Sequence, residues 1–590
     1  MPGMKNATKT LPKKNNTANK EQALKGKKRT KPKATGTALN LASFYEVLST
    51  SRREFRIYPS IGVARVGNSS EFYIGPESPG VVSETKLRGA DKGIKKQAAR
   101  FRIYEIEVDA NGNETVVREV VESSSISIEW QVSLANRKAA ASQIFGKGNG
   151  TLTRSPDARL RNESYERNPL VIESQGKVSG ANSAVKNLGG EIKFVRSGVV
   201  EYARNAIELG SLATDSKGRL LVIGGDGVSD CKPGSSLLSF ADNDGWFDSV
   251  SDGPVGANLN IDGVQLAVVP AWVVVTVPRY APFCYGMVTW FDQAVAMART
   301  SLDGTFTPPR TTSFTKDVYP VLRRSDLLST THFSAHALGT PAGLSSRERI
   351  EQFRNSREAR LTVKQWLSPL DATSEGPQEL AVRENGGHFM PKLYSGSNPR
   401  AFKPEDDLWI FLSLTKYQLA HIDRWVEGNY EDDWTGNEPI SVAFDQLPIT
   451  AQPAKLTEAA LESCVGGSFF PGIEATYDIA RRTTYHSNSH LRQEFRIETG
   501  KEPGVLTEKM ALPWQADFAD CEENWWPSQR PVLIKKANGQ SAKWSRGIDA
   551  PNDETRHRNM VAYWINLGFI VRNTDGEFRE VDRQQINAVG

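Results

Sequence analysis

The apolar residues of this 590-residue chain change their spacing near residue 285, and this change constrains the fold more than any other feature. Before it, short runs alternate apolar and polar residues between Gly, Pro and Asn breaks. The run from Phe101 to Val121, centred on Asn111-Gly112, is typical of a hairpin. After it, apolar residues recur every three or four positions, which predicts helices. We therefore predict an α+β protein, with a mostly antiparallel, sandwich-like β body at residues 41–285 and a helix-rich domain at residues 286–590.

The first forty residues form a basic tail. Residues 1–40 hold ten lysines and Arg29 against the single acid Glu21, so the rest of a chain with net charge +4 is mildly acidic. The tail has almost no large apolar residue, which predicts disorder. Its run KGKKRTKPK fits a solvated tail, a nuclear address or a weak contact with an anionic surface. The acidic remainder argues against nucleic acid as the main partner.

Two features bear on location. The tail lacks the apolar stretch of a secretory signal, which leaves the cytoplasm and export without a standard signal peptide both open. The most apolar run, from Val264 to Pro278, is interrupted by Pro270 and is shorter than a membrane-spanning helix. This run predicts buried strands, and no membrane contact is expected.

Several common site motifs do not fit this chain. Its four cysteines, at positions 231, 284, 464 and 521, show no CxxC spacing, which excludes a zinc ribbon and leaves the thiols available for other chemistry. The run VIGGDGVSD matches neither phosphate-binding glycine motif and predicts a turn. The chain has no GxSxG motif, so a serine hydrolase is not indicated.

Two histidine pairs have the spacing of one helical turn. They are His332 with His336, and His486 with His490. Such a pair can share a metal ion, but neither belongs to an HExxH motif or has a clear third ligand. We interpret them as structural or surface histidines and predict no metal site. Since His486 and His490 lie between the two segments described next, one of them is a candidate to face a site.

Two short runs combine sulfur, aromatic residues, glycine and proline. In ESCVGGSFFPGIE, Cys464 ends a predicted helix just before Gly466-Gly467. The negative end of a helix dipole does not lower a thiol pKa, which argues against a thiolate nucleophile but not against an uncharged thioether. In WQADFADCEENWWPSQRP, Trp525 and Trp526 follow a cluster of carboxylates. From the residues alone, a core cysteine and buried aromatic side chains are the simpler interpretation.

The two runs also resemble the LodA-like amino acid oxidases, the family of L-lysine 6-oxidase and glycine oxidase. The resemblance covers about residues 54–583 and follows the order of the family's motifs, which makes it highly specific. The runs that carry it are IYPSIGVARVGNSSEFYIGPE, IKKQAARFRIY, GGHFMPKLYSG, LTKYQLAHIDRWVEGNY, CVGGSFFPGIE, LPWQADFADC, WWPSQRP, NMVAYWINLGFIV and FREVDR.

The resemblance implies a cofactor made from the chain's own side chains. In this family one Cys and one Trp are joined into cysteine tryptophylquinone. By analogy Cys464 is the thioether donor and either Trp525 or Trp526 becomes the quinone; the spacing does not distinguish them. The implied reaction is oxidative deamination of an L-amino acid or glycine with O2 through a Schiff base, releasing hydrogen peroxide and ammonia.

The resemblance also implies roles for other residues and partners. Removal of the substrate Cα proton needs a general base, for which Asp582, His486 and His490 are the candidates. Arg530 is a candidate partner for a substrate carboxylate, with a structural ion pair as its simpler role. A flavin-dependent maturation protein and a homo-oligomer are expected. Lysine, glycine and other amines all remain possible substrates.

One position departs from the family pattern. An Asp four residues before the cofactor Cys supports quinone formation in the family, whereas Ala460 stands there in this chain, with Glu458 and Glu462 as the nearest carboxylates. This departure favours, as an alternative, a catalytically inactive relative that acts as a binding or interaction protein. A β-sandwich binding module unrelated to oxidation is a third possibility.

Overall fold

The computed structural model describes residues 51–143, 159–331, 343–367, 414–466, 473–520 and 529–586. The predicted tail, the pair His332 and His336, and the pair Trp525 and Trp526 lie outside the described residues. The strands are β1 (Arg52–Tyr58), β2 (Ile61–Arg65), β3 (Phe72–Ile74), β4 (Lys96–Val108), β5 (Glu114–Val120), β6 (Ile126–Asn136), β7 (Ile172–Ser179), β8 (Lys186–Arg196), β9 (Val199–Thr214), β10 (Leu220–Gly224), β11 (Ser229–Cys231), β12 (Trp246–Asp248), β13 (Ser251–Ile261), β14 (Val264–Leu266), β15 (Val268–Val269), β16 (Ala271–Thr276), β17 (Leu533–Lys535), β18 (Ser541–Lys543), β19 (Phe569–Arg572) and β20 (Phe578–Val581).

Helices follow the first sixteen strands. They are α1 (Trp290–Ala298), α2 (Tyr319–Leu328, preceded by a π-helical turn at Phe314–Val318), α3 (Arg347–Asn355), α4 (Arg357–Leu367), α5 (Lys416–Val426), α6 (Gln452–Glu462), α7 (Thr476–Ile479), α8 (Ser489–Gln493), α9 (Trp514–Asp520) and α10 (Asp553–Tyr563). The predicted α+β fold class is confirmed. Among the helices in the described residues, none has both the length and the apolar character needed to cross a membrane.

Beside three two-stranded sheets, the other fourteen described strands form one large sheet rather than the predicted sandwich. Its main path runs β7-β6-β13-β16-β2-β4-β10-β9-β8, and the two ends of the path, β7 and β8, lie against each other. Most pairs are antiparallel, but β2 pairs with β16 in parallel. The sandwich expectation was wrong because period-two patterns report which face of a strand is buried and not which strand is its neighbour.

The predicted hairpin is present. β4 and β5 pair antiparallel, and the turn between them spans Asp109–Asn113. The Asp109 carboxylate accepts hydrogen bonds from the backbone amides of Asn111 and Asn113, and Gly112 has a φ of 82°. A positive φ is easy only for glycine, so the local sequence determines this turn.

β2 brings a charged residue into the core. All five residues of its sequence IGVAR are buried, because the strand lies between β16 and β4. Its last residue, Arg65, is 1% exposed. A buried guanidinium needs polar partners, and these come from residues far along the chain.

The segments after residue 285 pack on the same core as the strands. Trp290 of α1, Cys464 and Trp514 of α9 belong to one hydrophobic cluster with strand residues such as Val63 and Val274. The domain boundary near residue 285 stays a prediction. α6 begins at Gln452 with a proline in its first turn and ends at Glu462. In the terminal run VAYWINLGFIV, α10 ends at Tyr563 and β19 begins at Phe569.

Candidate active site

Cys464 lies two residues beyond the end of α6, whereas the sequence pattern placed it within the last turn of that helix. Its side chain is 1% exposed, and its Sγ atom is 3.9 Å from the carbonyl oxygen of Ala460. Ser463 closes the helix, and its hydroxyl donates to the same Ala460 carbonyl at 2.7 Å. The helix end therefore fixes the thiol from one side.

The backbone after Cys464 pairs with the chain that enters α1. The amide of Trp290 donates to the Cys464 carbonyl at 3.2 Å, and the amide of Gly466 donates to the Val288 carbonyl at 2.8 Å. The side-chain amide of Gln293 donates to the Gly466 carbonyl at 2.8 Å. A Cβ atom at Gly466 would lie 2.2 Å from the carbonyl oxygen of Thr289. Only glycine permits this close approach.

Gly466→Ala is therefore expected to destabilise the fold. The added methyl group must displace the backbone at Thr289, at a cost of about 1–3 kcal/mol in the free energy of unfolding. Denaturant unfolding of the purified protein measures this change. Gly256→Ala is the matched control, since a Cβ atom there meets nothing within 4 Å. Equal stability of the two variants would contradict the close packing at Gly466.

An ion pair between Arg65 and Glu474 contacts residues 463–465, here called the thiol segment. Nη1 of Arg65 donates to Oε1 of Glu474 at 2.8 Å, and Nη2 donates to the Ser463 carbonyl at 2.8 Å. The same Nη2 lies 3.3 Å from Sγ of Cys464. Oε2 of Glu474 accepts from the amide of Val465 at 2.7 Å. The ion pair thus contacts all three residues 463–465.

The thiol is neutral in this environment. The pKa of Cys464 is raised to about 12, mainly by burial; the negative charge of Glu474 contributes to this rise, and Arg65 opposes it. The thiolate is the nucleophilic form of cysteine, so this residue is poorly suited to nucleophilic catalysis. A neutral buried sulfur is compatible with an uncharged thioether.

Glu462, at the end of α6, joins a second charged group. Nη2 of Arg324 lies 3.0 Å from Oε1 of Glu462, and Nη1 of Arg324 lies 2.7 Å from Asp292 of α1. Burial raises the pKa of the Glu462 carboxyl to about 7; Arg324 opposes this rise, and the charges of Glu458 and Asp292 add to it. Arg324 therefore links α6 to α1 through two carboxylates.

The raised pKa of Glu462 predicts a pH effect on stability. Between about pH 4.5 and 7 the folded protein holds a proton that the unfolded chain has released, so the free energy of unfolding falls as pH rises through this window. Glu462→Gln cannot titrate and is expected to remove up to about 1.4 kcal/mol per pH unit of that slope. Urea unfolding at several pH values measures it. Glu427→Gln, which removes an exposed carboxylate and leaves the surroundings of Glu462 intact, should keep the wild-type slope; an unchanged slope in Glu462→Gln would contradict this explanation.

The tryptophan pair is flanked by residues that contact each other. Trp525 and Trp526 lie outside the described residues, but α9 ends at Asp520 before them and Arg530 follows them. Nε of Arg530 donates to the carbonyl of Phe518 at 2.7 Å, and its guanidinium lies over the Trp544 ring. These contacts favour the structural role for Arg530 over a substrate carboxylate.

His486 and His490 contact polar residues outside the Cys464 segment. Nε2 of His490 is 2.6 Å from Oε1 of Glu114, and Glu494 completes a group with the ligand types of a metal site. The guanidinium of Arg56 donates to both carboxylates, so a protein cation already lies between them. Nε2 of His486 is 3.2 Å from the Thr499 hydroxyl.

The third predicted base, Asp582, is exposed. It follows β20 with a φ of 56°, and its carbonyl accepts from Nε of Arg88 at 2.8 Å. Within the described residues, no hydrogen bond or ion pair joins Asp582, His486 or His490 to Cys464. Their catalytic roles stay predictions.

Sequence reasoning missed Arg65 and Glu474. Both stand in runs that we had singled out, IYPSIGVARVGN and CVGGSFFPGIE. The available signal was one charged residue inside an otherwise apolar stretch, since such a residue is seldom buried without a partner. The 409-residue separation of the two concealed their pairing.

Comparison with known proteins agrees with this architecture. The model of the L-lysine epsilon-oxidase N-terminal region matches residues 58–275, and the model of the L-lysine epsilon-oxidase C-terminal domain matches residues 392–544. The curated L-lysine 6-oxidase of Marinomonas mediterranea is 25% identical over 544 residues, which covers 79% of this chain and 70% of that protein.

Solved structures show the same fold. Crystal structures of the L-Lys epsilon-oxidase from Marinomonas mediterranea superpose with TM-scores of 0.64 and 0.63, the second being its Schiff base intermediate with L-Lys. Both are 21% identical to this chain and cover 90% of it, and the chain covers 94% and 95% of them. The fold and the motif order define a LodA-like protein. The chain belongs to the L-lysine epsilon-oxidase family, a family of amino acid oxidases.

Proposed function

We propose that this protein is an amino acid oxidase with a cysteine tryptophylquinone formed from Cys464 and either Trp525 or Trp526. The observation that carries the proposal is the environment of Cys464 in a chain of this family. The sulfur is buried, neutral and fixed by α6, by the Val288–Trp290 backbone and by Arg65. Such a site suits a permanent thioether better than a reactive thiolate.

The residues around Cys464 fit this cofactor. Sγ would be the protein's sulfur attachment, and the Nε–H of Arg65 is buried without an acceptor among the described residues. When formed, the quinone supplies an electrophilic carbonyl carbon and accepts two electrons. The chain holds the sulfur in place and excludes water from it, and a base removes a proton from the substrate carbon that bears the reacting amine. Asp582, His486 and His490 remain the proposed candidates for that base.

The overall reaction consumes an amino acid, O2 and water. It releases ammonia, hydrogen peroxide and a keto acid or aldehyde. We propose a flavin-dependent maturation protein as the partner that completes the cofactor, and a homo-oligomer as the active form. L-Lysine is the first substrate to test because the compared relatives are named for it.

Oxygen uptake and peroxide release test the proposal directly. The protein is co-expressed with its candidate flavoprotein partner and assayed with L-lysine, glycine and the other common amino acids. Peroxide formed in step with oxygen uptake for at least one amino acid supports the proposal. Absence of turnover with every amino acid, in protein whose quinone is demonstrated by redox-cycling stain, would contradict it.

Ala460 favours a second candidate function, a non-catalytic binding protein. Ala460 faces a small cavity with about 20 Å³ of room for water, whose walls include Gln97, Glu77 and Arg100. That room is enough for about one water molecule. The position therefore offers space and polar neighbours for a carboxylate, but this chain places none there.

Ala460→Asp is expected to raise the fraction of chains that carry the quinone several-fold. The added carboxylate would stand four residues before Cys464, beside the cavity. The measurement is quinone absorbance per mole of protein after co-expression. Ala460→Asn is the matched control, since it has the same size without the charge. Equal quinone content in both variants would show that a carboxylate at position 460 does not promote maturation here.

A further inference from the structure

Arg65 and Glu474 form a buried clamp around the thiol segment. Arg65 ends β2, and Glu474 lies just before α7. Their exposed fractions are both 1%. Together the two side chains contact the carbonyl of Ser463, the Sγ atom of Cys464 and the amide of Val465. Three consecutive residues are thus held by one ion pair.

Stability alone is a weak reason for this arrangement. Removing two charges from water is costly, and a buried ion pair can often be replaced by well-packed apolar residues without loss of stability. One hydrogen-bond donor of this ion pair is also unsatisfied, because the buried Nε–H of Arg65 has no acceptor among the described residues. The remaining guanidinium donors point to Glu474, Val277, Ser463 and Cys464.

We propose that Arg65 is a positioning residue for the Cys464 sulfur, and that Glu474 both orients Arg65 and accepts the thiol proton when the thioether forms. This inference rests on the proposed function. Nη2 of Arg65 lies 3.3 Å from Sγ and restricts the sulfur to one place. The Glu474 carboxylate accepts a hydrogen bond from the amide of Val465, the residue that follows Cys464, so it contacts the thiol segment directly.

Thioether formation is a two-electron oxidation in which two bonds break and one forms. The S–H bond of Cys464 and one C–H bond of the indole ring break, and one S–C bond forms. Two protons and two electrons leave. The thiol proton passes to Glu474, and the ring proton and the two electrons pass to an oxidant of the flavin class carried by the maturation partner. Burial raises the pKa of Glu474, which favours its holding a proton.

The clamp also affects the finished cofactor. Once the thioether exists, the guanidinium remains beside its sulfur. A buried positive charge stabilises the electron-rich reduced form of an attached ring more than its oxidised form. Loss of that charge is expected to shift the visible absorption maximum of the quinone, a readout that a purely structural role would leave unchanged.

The test compares Arg65→Met and Glu474→Gln with wild-type protein, all full-length and co-expressed with the flavoprotein partner. Peptide mass spectrometry measures the fraction of Cys464 that is cross-linked. We expect Arg65→Met to lower that fraction about tenfold or more, since small displacements of reacting atoms have large effects on rate. Glu474→Gln, which keeps the size of the side chain, is expected to lower it several-fold.

Arg161→Met is the matched control. Arg161 is a fully buried arginine paired with Asp242 at 2.8 Å, and it also donates to backbone carbonyls. Its replacement should lower the unfolding midpoint while leaving the cross-linked fraction and the absorption maximum of folded protein unchanged.

The outcomes separate this inference from the proposed function. If wild-type protein forms no cross-link, the proposed function fails and this inference fails with it. If wild-type protein is cross-linked and folded Glu474→Gln is cross-linked to the same extent with the same spectrum, the inference is overturned and the oxidase proposal stands. If Arg65→Met does not fold, Glu474→Gln alone decides.

Discussion

Replacing Cys464 by alanine is expected to abolish both the quinone and the oxidase activity. The variant retains the helix end and the clamp but has no sulfur to bond to the indole ring. Turnover and quinone absorbance should fall below detection. Because a single small buried side chain is shortened, the fold should survive with a modest loss of stability.

Cys284→Ala is the matched control for that result. Cys284 is fully buried, and its Sγ atom lies 3.0 Å from the Thr330 hydroxyl, so its loss perturbs the core in a similar way. It should retain quinone and activity. For both variants, oxygen uptake measures activity, the redox-cycling stain measures the quinone, and thermal unfolding measures stability. Activity that persisted in Cys464→Ala would exclude a cofactor built on this residue.

Replacing Lys138 by methionine is expected to be the most destabilising change away from Cys464. Nζ of Lys138 lies 2.6 Å from Oδ2 of Asp248 and donates to the Ala511 carbonyl at 2.7 Å. Both charged side chains are fully buried. The variant leaves the Asp248 carboxylate without its cation, which costs about 3–5 kcal/mol.

The consequence extends to α9, because Asp248 also accepts from the amide of Trp514 at that helix's first residue. Denaturant unfolding measures the loss of stability. Lys177→Met, which breaks the exposed pair with Glu129, is the control and should leave the unfolding midpoint nearly unchanged. The double variant Lys138→Met/Asp248→Asn should recover part of the loss. If Lys138→Met were as stable as the wild-type protein, the Asp248 carboxylate would not need Lys138 as its cation.

Local sequence determined much of the fold. The hairpin at Gly112 and the end of α6 before Gly466 both depend on neighbouring residues; the hairpin is where the pattern predicts it, and the helix ends two residues before Cys464. The single sheet was not predictable in this way. The parallel pairing of β2 with β16 joins strands more than two hundred residues apart, and alternation of apolar residues carries no information about such partners.

The candidate site shows the same limit. The composition of its two runs and their resemblance to a family identified Cys464 as a candidate. The ion pair that holds it was not predictable, because Arg65 and Glu474 meet only after the sheet and the segment before α7 have folded together. Position in the sequence did not identify the neighbours of a predicted base either. His490 was a candidate because it lies between two motifs along the chain, but its side chain contacts Glu114 and Arg56.

The central claim is a covalent bond between Cys464 and a tryptophan. Its most direct test is the mass of the peptides from protein co-expressed with the flavoprotein partner. We expect one cross-linked peptide that joins Cys464 to Trp525 or Trp526, with the mass of two added oxygens and fewer hydrogens, and its fragmentation would identify the tryptophan. Separate, unmodified Cys464 and tryptophan peptides, persisting in Ala460→Asp and with several partner flavoproteins, would contradict the account and favour the non-catalytic relative.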